Sequence, residues 1–109
     1  MTRATATGEA LTIRPMVGRS GLCLAGEVDL ATAAALKSAL DGLLDGDGDV
    51  HLDLAGLQFV DVNGVAVLVA AAAQLVPDRA LVLHDPPPAL SQILDRFWDG
   101  VARIRVDVS

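Results

Sequence analysis

Apolar and polar residues alternate along several short stretches of the chain, and this alternation predicts β-strands. It is clearest over residues 50–54, where three apolar residues are separated by His51 and Asp53. It recurs over residues 103–108, where every second residue is isoleucine or valine. With three further apolar runs, the pattern predicts strands at residues 10–17, 22–28, 50–54, 80–84 and 103–108. Two glycines within residues 18–21 predict a hairpin turn between the first two strands.

Between these strands, apolar residues recur three and four positions apart, which predicts three α-helices. Asp29 is expected to cap the first helix, with Thr32 in its first turn. The apolar face of this helix consists of Ala33, Leu36, Leu40, Leu43 and Leu44. The third helix is expected to start at Asp85 and the prolines that follow it, and to end at Gly100. Its apolar face consists of Leu90, Ile93, Leu94 and Phe97.

The second helix is expected to follow the strand at residues 50–54 after a short loop. Asn63 is a favoured N-cap residue before a long apolar run, and Gly64 would let the chain turn tightly there. The N-terminus of a helix carries unpaired backbone N–H groups and a partial positive charge, so it suits an anion or a partner's carboxylate. Residues 61–64 are therefore the predicted binding surface.

The predicted order of elements is β-β-α-β-α-β-α-β, which indicates an α/β fold with a mixed sheet. The hairpin makes the first two strands antiparallel, and the later strands are expected to be parallel. Two strands are polar along one whole side, so the helices are expected mainly on one face of the sheet. We expect a single domain over residues 10–109 after a flexible tail at residues 1–9.

The second helix has an unusual composition for a helix that is covered on one side only. The predicted helix runs from Asn63 to Val76, and its core face consists of Val65, Leu68, Val69, Ala72 and Val76. Opposite this face it carries Ala66, Val67, Ala70, Ala71 and Ala73, with Gln74 as the one polar side chain there. Neighbouring helices could cover these alanines. Alternatively, they form an exposed smooth patch that docks another protein.

Composition and charge narrow the function. The 109-residue chain has a net charge of −6 with few, scattered Lys and Arg residues, which argues against nucleic-acid binding and favours protein partners. The longest apolar run, residues 65–73, is too short to span a membrane, and the N-terminal residues have no apolar core of a signal peptide. We therefore expect a cytoplasmic protein. Cys23 is the single cysteine, which excludes an intrachain disulfide.

No catalytic or metal-binding motif stands out, so we expect neither an enzyme nor a cofactor. His51 and His84 have no cysteine or second histidine near them in sequence, and each is interpreted as a surface or strand-end residue. Residues 45–49 have the D-x-D-x-D spacing of a calcium loop. Gly56 occupies the position of the essential twelfth ligand, however, so a solvated turn is the better interpretation.

Three stretches resemble the STAS domain family of bacterial anti-sigma factor antagonists, which also occurs in sulfate transporters. G-E-V-D-L-A-T-A at 26–33 is similar to the family's G-E-L-D-x-x-T-A. D-L-A-G-L-Q-F-V-D-V-N-G at 53–64 is similar to D-L-S-G-V-x-F-I-D-S-S-G. H-D-P-P-P-A-L-S-Q-I-L at 84–94 is similar to N-P-S-P-x-V-x-x-L-L. The stretches occur in the family's order and together span most of the chain.

The resemblance implies partner switching, in which an unmodified antagonist binds an anti-sigma factor of the serine kinase type and phosphorylation ends that binding. The position of the phosphoacceptor serine is Asn63 here, and the preceding serine position is Val62. Neither residue has a hydroxyl, so the resemblance implies an antagonist that remains competent to bind. The expected partner-binding residues are Asp29, Thr32, Asp61, Val62, Asn63, Gly64 and Val67.

The resemblance leaves other functions open. One alternative is a STAS subunit bound to the ATPase of a lipid transporter, and another is a regulatory STAS protein that binds a nucleotide or lipid. A homodimer is compatible with either. A different hydroxyl, on Thr32, Ser38 or Ser91, could have taken over regulation.

Overall fold

The computed structural model describes residues 6–7, 11–98 and 103–107. The strands are β1 (Ala6–Thr7), β2 (Leu11–Pro15), β3 (Gly21–Val28), β4 (Val50–Val60), β5 (Leu81–His84) and β6 (Ile104–Asp107). The helices are α1 (Ala33–Asp41), α2 (Val62–Ala73) and α3 (Pro88–Phe97). Gly100 and Val108, to which the sequence assigned a helix end and a strand position, lie outside the described residues.

All strands belong to one mixed sheet in which the spatial order equals the order along the chain. β1, β2 and β3 are antiparallel, whereas β3, β4, β5 and β6 run parallel. Each parallel connection moves one strand in the same direction, and right-handed crossovers then place the three helices on one face. The predicted α/β fold class is confirmed. The strand β1 was not predicted. Its residues Ala6 and Thr7 lie in the segment that was expected to be a flexible tail, and they pair with Ile13 and Thr12 of β2.

The core lies between the helices and one face of the sheet. Leu52 and Leu54 of β4 and Leu81 and Leu83 of β5 are at most 1% exposed. The helices complete this core with Leu36, Leu40, Val65, Leu68, Leu90 and Leu94. Each such side chain contributes about 1.5–3 kcal/mol on burial, so this face fixes how the helices lie on the sheet.

β4 is longer than the sequence pattern indicated. The predicted strand stopped at Leu54 and was followed by a loop, but the strand continues to Val60 and pairs with β3 along its whole length. Two register shifts in this pairing each give β4 one extra residue. These bulges keep Leu57 and Val60 directed at the core, although the apolar spacing has changed from two residues to three. The extension carries β4 directly into α2.

Several residues that the periodicity places on the apolar face of a helix or strand are exposed. Val76 is 56% exposed because α2 ends at Ala73, and Phe97 is 60% exposed at the last residue of α3. Val106 is 48% exposed because β6 is an edge strand. The helix expected to start at Asp85 starts at Pro88, after Pro87 as N-cap.

Candidate functional site

The parallel strands β3 and β4 end side by side, and this brings two segments of the candidate site together. Val28 and Val60 are paired as the last residues of their strands. The N–H of Asp61 then donates to the carbonyl oxygen of Val28 at 3.1 Å. The turn at residues 29–32 and the start of α2 therefore lie next to each other at one edge of the sheet.

Asp61 is the N-cap of α2. Its Oδ1 accepts hydrogen bonds from the backbone N–H groups of Asn63 at 2.9 Å and Gly64 at 3.3 Å. Its backbone is extended, as expected for an N-cap, and its carbonyl accepts the N–H of Val65. The prediction that Asn63 caps this helix was therefore wrong. A carboxylate already occupies the N–H groups that an anion would need, and its charge complements the helix dipole.

Asn63 lies within the first turn of α2, half-buried, and its Nδ2 donates to Oδ2 of Asp61 at 3.3 Å. Val62 precedes it and is 43% exposed. The backbone N–H and the side-chain amide of Asn63 thus both donate to the carboxylate of Asp61. Positions 62 and 63 lie at the surface where the α2 helix begins.

The turn at residues 29–32 is built by Asp29 and Thr32. Oδ1 of Asp29 accepts from the N–H groups of Ala31 at 2.9 Å and Thr32 at 3.2 Å. The Thr32 hydroxyl donates to the carbonyl of Glu27 and accepts the N–H of Asp29, both at 3.0 Å. Helix α1 begins after Thr32 rather than after Asp29. Thr32 is only 5% exposed, so its hydroxyl holds the turn together and is closed to a partner.

Gly64 is buried inside the first turn of α2, and it does not form the tight turn that the sequence indicated. A Cβ at this position would lie 2.6 Å from Cγ1 of Val28 and 2.8 Å from Cγ2 of Val60. The glycine therefore lets the start of α2 approach the ends of β3 and β4. Its contribution to the site is this close approach.

Two exposed apolar side chains at the same edge were missed by the sequence analysis. Leu30 is 76% exposed in the turn after β3, and Phe59 is 48% exposed near the end of β4. With Val62 they give this edge three exposed apolar residues. Phe59 follows the second bulge of β4, so periodicity could not place it, but Leu30 could have been found because it follows the turn-forming Asp29.

The alanine face of α2 is partly covered and partly open. Ala71 is buried against α1, whereas Ala70 and Ala73 are exposed. An open groove between α1 and α2 is lined by Lys37, Leu40, Asp41, Ala66, Val67, Ala70, Ala71 and Gln74. One part of the alanine face is therefore covered by a neighbouring helix, and another part is exposed. Val67 lies in the groove, one helical turn beyond Asn63.

We expect Asp61→Ala to lower the free energy of unfolding by about 1 kcal/mol, within the usual 0.5–2 kcal/mol range for a lost N-cap. The substitution removes the acceptor of both backbone N–H groups at the start of α2. Asp61→Asn is the matched control, because its side-chain oxygen can still accept. Urea unfolding of the three proteins measures the effect. Equal losses in both variants would contradict a capping role.

Groups that could bind a metal ion do not come together among the described residues. Among residues 6–7, 11–98 and 103–107, no three His, Cys, Asp or Glu side chains come together in a way that could hold a metal ion. The same residues contain no helix with the length and apolar character needed to cross a membrane. His51 and His84, which are far apart in sequence, do meet on the opposite face of the sheet, away from this site.

Comparison with solved structures identifies the fold. An anti-sigma factor antagonist from Mycobacterium paratuberculosis is 22% identical with a TM-score of 0.67, over 87% of this chain and 83% of that one. SpoIIAA in its unphosphorylated form is 17% identical with a TM-score of 0.67, over 92% of this chain and 89% of that one. The Bacillus cell fate determinant SpoIIAA in its phosphorylated form is 17% identical with a TM-score of 0.63, over 90% and 91%.

Comparison with protein families gives the assignment. No curated protein matches the chain. The family model described as Mlab, STAS domain, matches residues 15–109, which is most of the sequence and includes all three motif stretches. The chain therefore belongs to the STAS domain family, as the three motifs implied.

Proposed function

We propose that this STAS domain is a non-catalytic antagonist that binds an anti-sigma factor of the serine kinase type. The binding surface consists of Asp29, Leu30, Phe59, Val62, Asn63 and Val67. The observation that carries the proposal is that Leu30, Phe59 and Val62, all within two residues of the paired ends of β3 and β4, are exposed apolar residues. Large apolar residues exposed together beside polar groups are typical of protein-binding surfaces.

The charge of the chain favours a basic partner. The net charge is −6, and Asp29 and Asp61 lie at this edge beside the apolar residues. Each of these carboxylates accepts backbone N–H groups through Oδ1, so both are held in fixed positions. A partner that presents Lys or Arg side chains around an apolar centre would complement this surface in charge and associate faster for that reason.

Asn63 makes the antagonist independent of phosphorylation at this position. Neither Val62 nor Asn63 has a hydroxyl, so a serine kinase has no acceptor at the start of α2. The amide of Asn63 is neutral and lies against Asp61, as an unmodified polar side chain would. A phosphate there would add close to two negative charges beside the Asp61 carboxylate and disrupt the docking surface. The asparagine therefore keeps the surface in its binding-competent form.

The kinase itself provides the test. We expect no phosphate on residues 61–64 when the protein is incubated with its anti-sigma kinase and ATP, and mass spectrometry of peptides measures it. Asn63→Ser restores a hydroxyl at the start of α2, so this variant should accept one phosphate and then lose affinity for the kinase. Asn63→Ala is the matched control, because it removes the amide without providing an acceptor.

Two outcomes would contradict the proposal. Phosphate on residues 61–64 of the unmodified sequence would refute the switchless antagonist. Failure of the kinase to bind either the unmodified protein or Asn63→Ser would refute the kinase as partner.

A second candidate function is a constitutive subunit docked on the ATPase of a lipid transporter. The absence of a hydroxyl at positions 62 and 63 favours it, because a permanent subunit needs no phosphorylation switch. Co-purification from the native cell separates the candidates. A kinase-type partner supports the antagonist, and an ATPase with its permease supports the transporter subunit.

A further inference from the structure

The sheet face that points away from the helices carries a row of polar contacts. Nδ1 of His51 on β4 lies 2.8 Å from Nε2 of His84 on β5, and the two rings stack with their centroids 5.1 Å apart. A guanidinium nitrogen of Arg19, in the β2–β3 hairpin, lies 3.3 Å from the same Nδ1. On the other side, Nδ1 of His84 lies 3.3 Å from Oδ2 of Asp107 on β6. The row thus joins the hairpin to three parallel strands.

The contacts assign the protons in this row. Arginine has donors only, so Nδ1 of His51 must be an acceptor, and His51 is then the neutral tautomer with its proton on Nε2. Nε2 of His84 must therefore donate to His51. Nδ1 of His84 faces a carboxylate oxygen of Asp107. These contacts require His51 to be neutral.

We propose that Arg19, His51, His84 and Asp107 form a proton-operated latch that holds the hairpin and the edge strand β6 against the centre of the sheet, and that opens on acidification. Protonation of His51 at Nδ1 removes the acceptor on which two contacts depend. It also places a positive charge on His51 beside the Arg19 guanidinium. The latch therefore opens by loss of hydrogen bonds and by charge repulsion together.

The groups around His51 determine when this happens. Burial lowers the pKa of His51 from its ordinary value of 6.5, and the positive charges of Arg19, His84 and Arg105 lower it further, while Asp49 acts in the opposite direction. In the unfolded chain His51 gains its proton near 6.5, whereas the folded protein resists it to lower pH. Between the folded pKa of His51 and 6.5, the unfolded state therefore binds more protons than the folded state. The stabilisation is therefore present above 6.5 and is lost as the pH falls through the folded pKa.

Two backbone amides report on the latch, and a third serves as a control. The N–H of residue 51 donates to the carbonyl of Ser20 at 2.9 Å, and the N–H of Asp85 donates to the carbonyl of Asp107 at 2.9 Å. These lie on the two sides of the latch. The N–H of Leu81 donates to the carbonyl of Arg103 at the far end of the same β5–β6 pair, so it serves as an internal control.

The experiment is native-state hydrogen exchange of the full chain at pH 7 and pH 5, corrected for the intrinsic pH dependence of exchange. We expect the protection of residue 51 and Asp85 to fall severalfold at pH 5, while that of Leu81 changes much less. The chain has only two histidines, and both belong to the latch. Nitrogen-15 spectra of the imidazoles at pH 7 should show His51 protonated at Nε2 only.

Two variants at His51 complete the test. His51→Asn places an amide oxygen near the position of Nδ1, so it keeps an acceptor that does not titrate, and its protection should not change between pH 7 and pH 5. His51→Phe keeps an aromatic ring without the acceptor, so the latch should be open at both values. Loss of protection in His51→Asn equal to that of the unmodified protein, or a proton on Nδ1 of His51 at pH 7, would overturn the proposal.

Discussion

Replacing Gly64 by alanine should lower the free energy of unfolding by about 1–3 kcal/mol, the usual cost of an extra group in a well-packed core. The new Cβ would lie 2.6 Å from a methyl of Val28 and 2.8 Å from one of Val60, and real Cβ atoms do not approach other atoms so closely. Both valines are at most 3% exposed and branched at Cβ, so neither can rotate away freely. Relief requires α2 to move outward, which would also displace Val62 and Asn63 from the site.

Gly42→Ala is the matched control for this prediction. Gly42 also has helical backbone angles, with φ of −67°, and a Cβ there would meet one carbonyl oxygen at an ordinary 3.6 Å. Its replacement should be neutral or stabilising by up to about 1 kcal/mol, because alanine restricts the unfolded chain. Urea unfolding of both variants measures the difference. A cost for Gly64→Ala no larger than that for Gly42→Ala would show that the helix start is loosely packed.

The packing partner can be identified with a second substitution. Val28→Ala removes the Cγ1 atom that the new Cβ would meet first. In that background Gly64→Ala should cost less than in the unmodified protein, and the double-mutant cycle gives the difference as a coupling energy. Simple additivity of the two losses would contradict the contact as the cause.

The element order was predictable because most elements follow a single period. The start of β4 alternates, β5 is a short continuous apolar run, and α1 repeats leucine at helical spacing through Leu36 and Leu40. These patterns define which face is buried, and the connection rules then place the helices. The fold class therefore followed from local periodicity without knowledge of any long-range contact.

The second half of β4 could not be predicted in this way. Its buried residues Leu54, Leu57 and Val60 are three apart, which is the signature of neither a regular strand nor a helix. The spacing arises from the two bulges, and the bulges are defined by the register with β3, a contact between distant parts of the chain. Because that register was unknown, the strand was taken to end at Leu54.

The start of α2 illustrates a different limit. Asp61 and Asn63 are both favoured N-cap residues and lie two positions apart, so composition alone did not choose between them. The choice follows from β4, because a strand that runs to Val60 leaves Asp61 as the first residue with extended backbone before the helix. Because the bulges of β4 were not predicted, the end of the strand and the N-cap of α2 were both assigned to the wrong residues.

The histidine pair is the clearest case of information that the sequence lacks. His51 and His84 are 33 residues apart, and each alone resembles an ordinary strand residue. Their contact exists because β4 and β5 are parallel neighbours in a register that pairs Asp53 with His84. The order of elements along the chain could be predicted, but the register of the strands to the single residue could not.

Phe59→Ala should weaken binding of the anti-sigma partner by about 30-fold or more, the loss typical of an aromatic residue at the centre of an interface. Phe59 is 48% exposed one residue before the end of β4, so its ring is free to enter a pocket on the partner and be buried there. Much of the ring is already in water in the free protein, so the substitution should affect binding far more than folding. Titration calorimetry with the co-purified partner measures the affinity, and urea unfolding measures the stability.

Phe97→Ala is the matched control, because it removes the same kind of side chain from a different part of the surface. The chain has only two phenylalanines, and Phe97 is similarly exposed, at 60%, but it lies at the end of α3 and contacts Trp98 edge to face. Its removal deletes the same apolar ring from a different part of the surface, so binding should change less than about threefold, as expected outside an interface. Equal losses of affinity in the two variants would mean that exposed apolar area alone, wherever it lies, attracts the partner. A loss confined to Phe97→Ala would move the docking surface to α3 and away from the edge where β3 and β4 end.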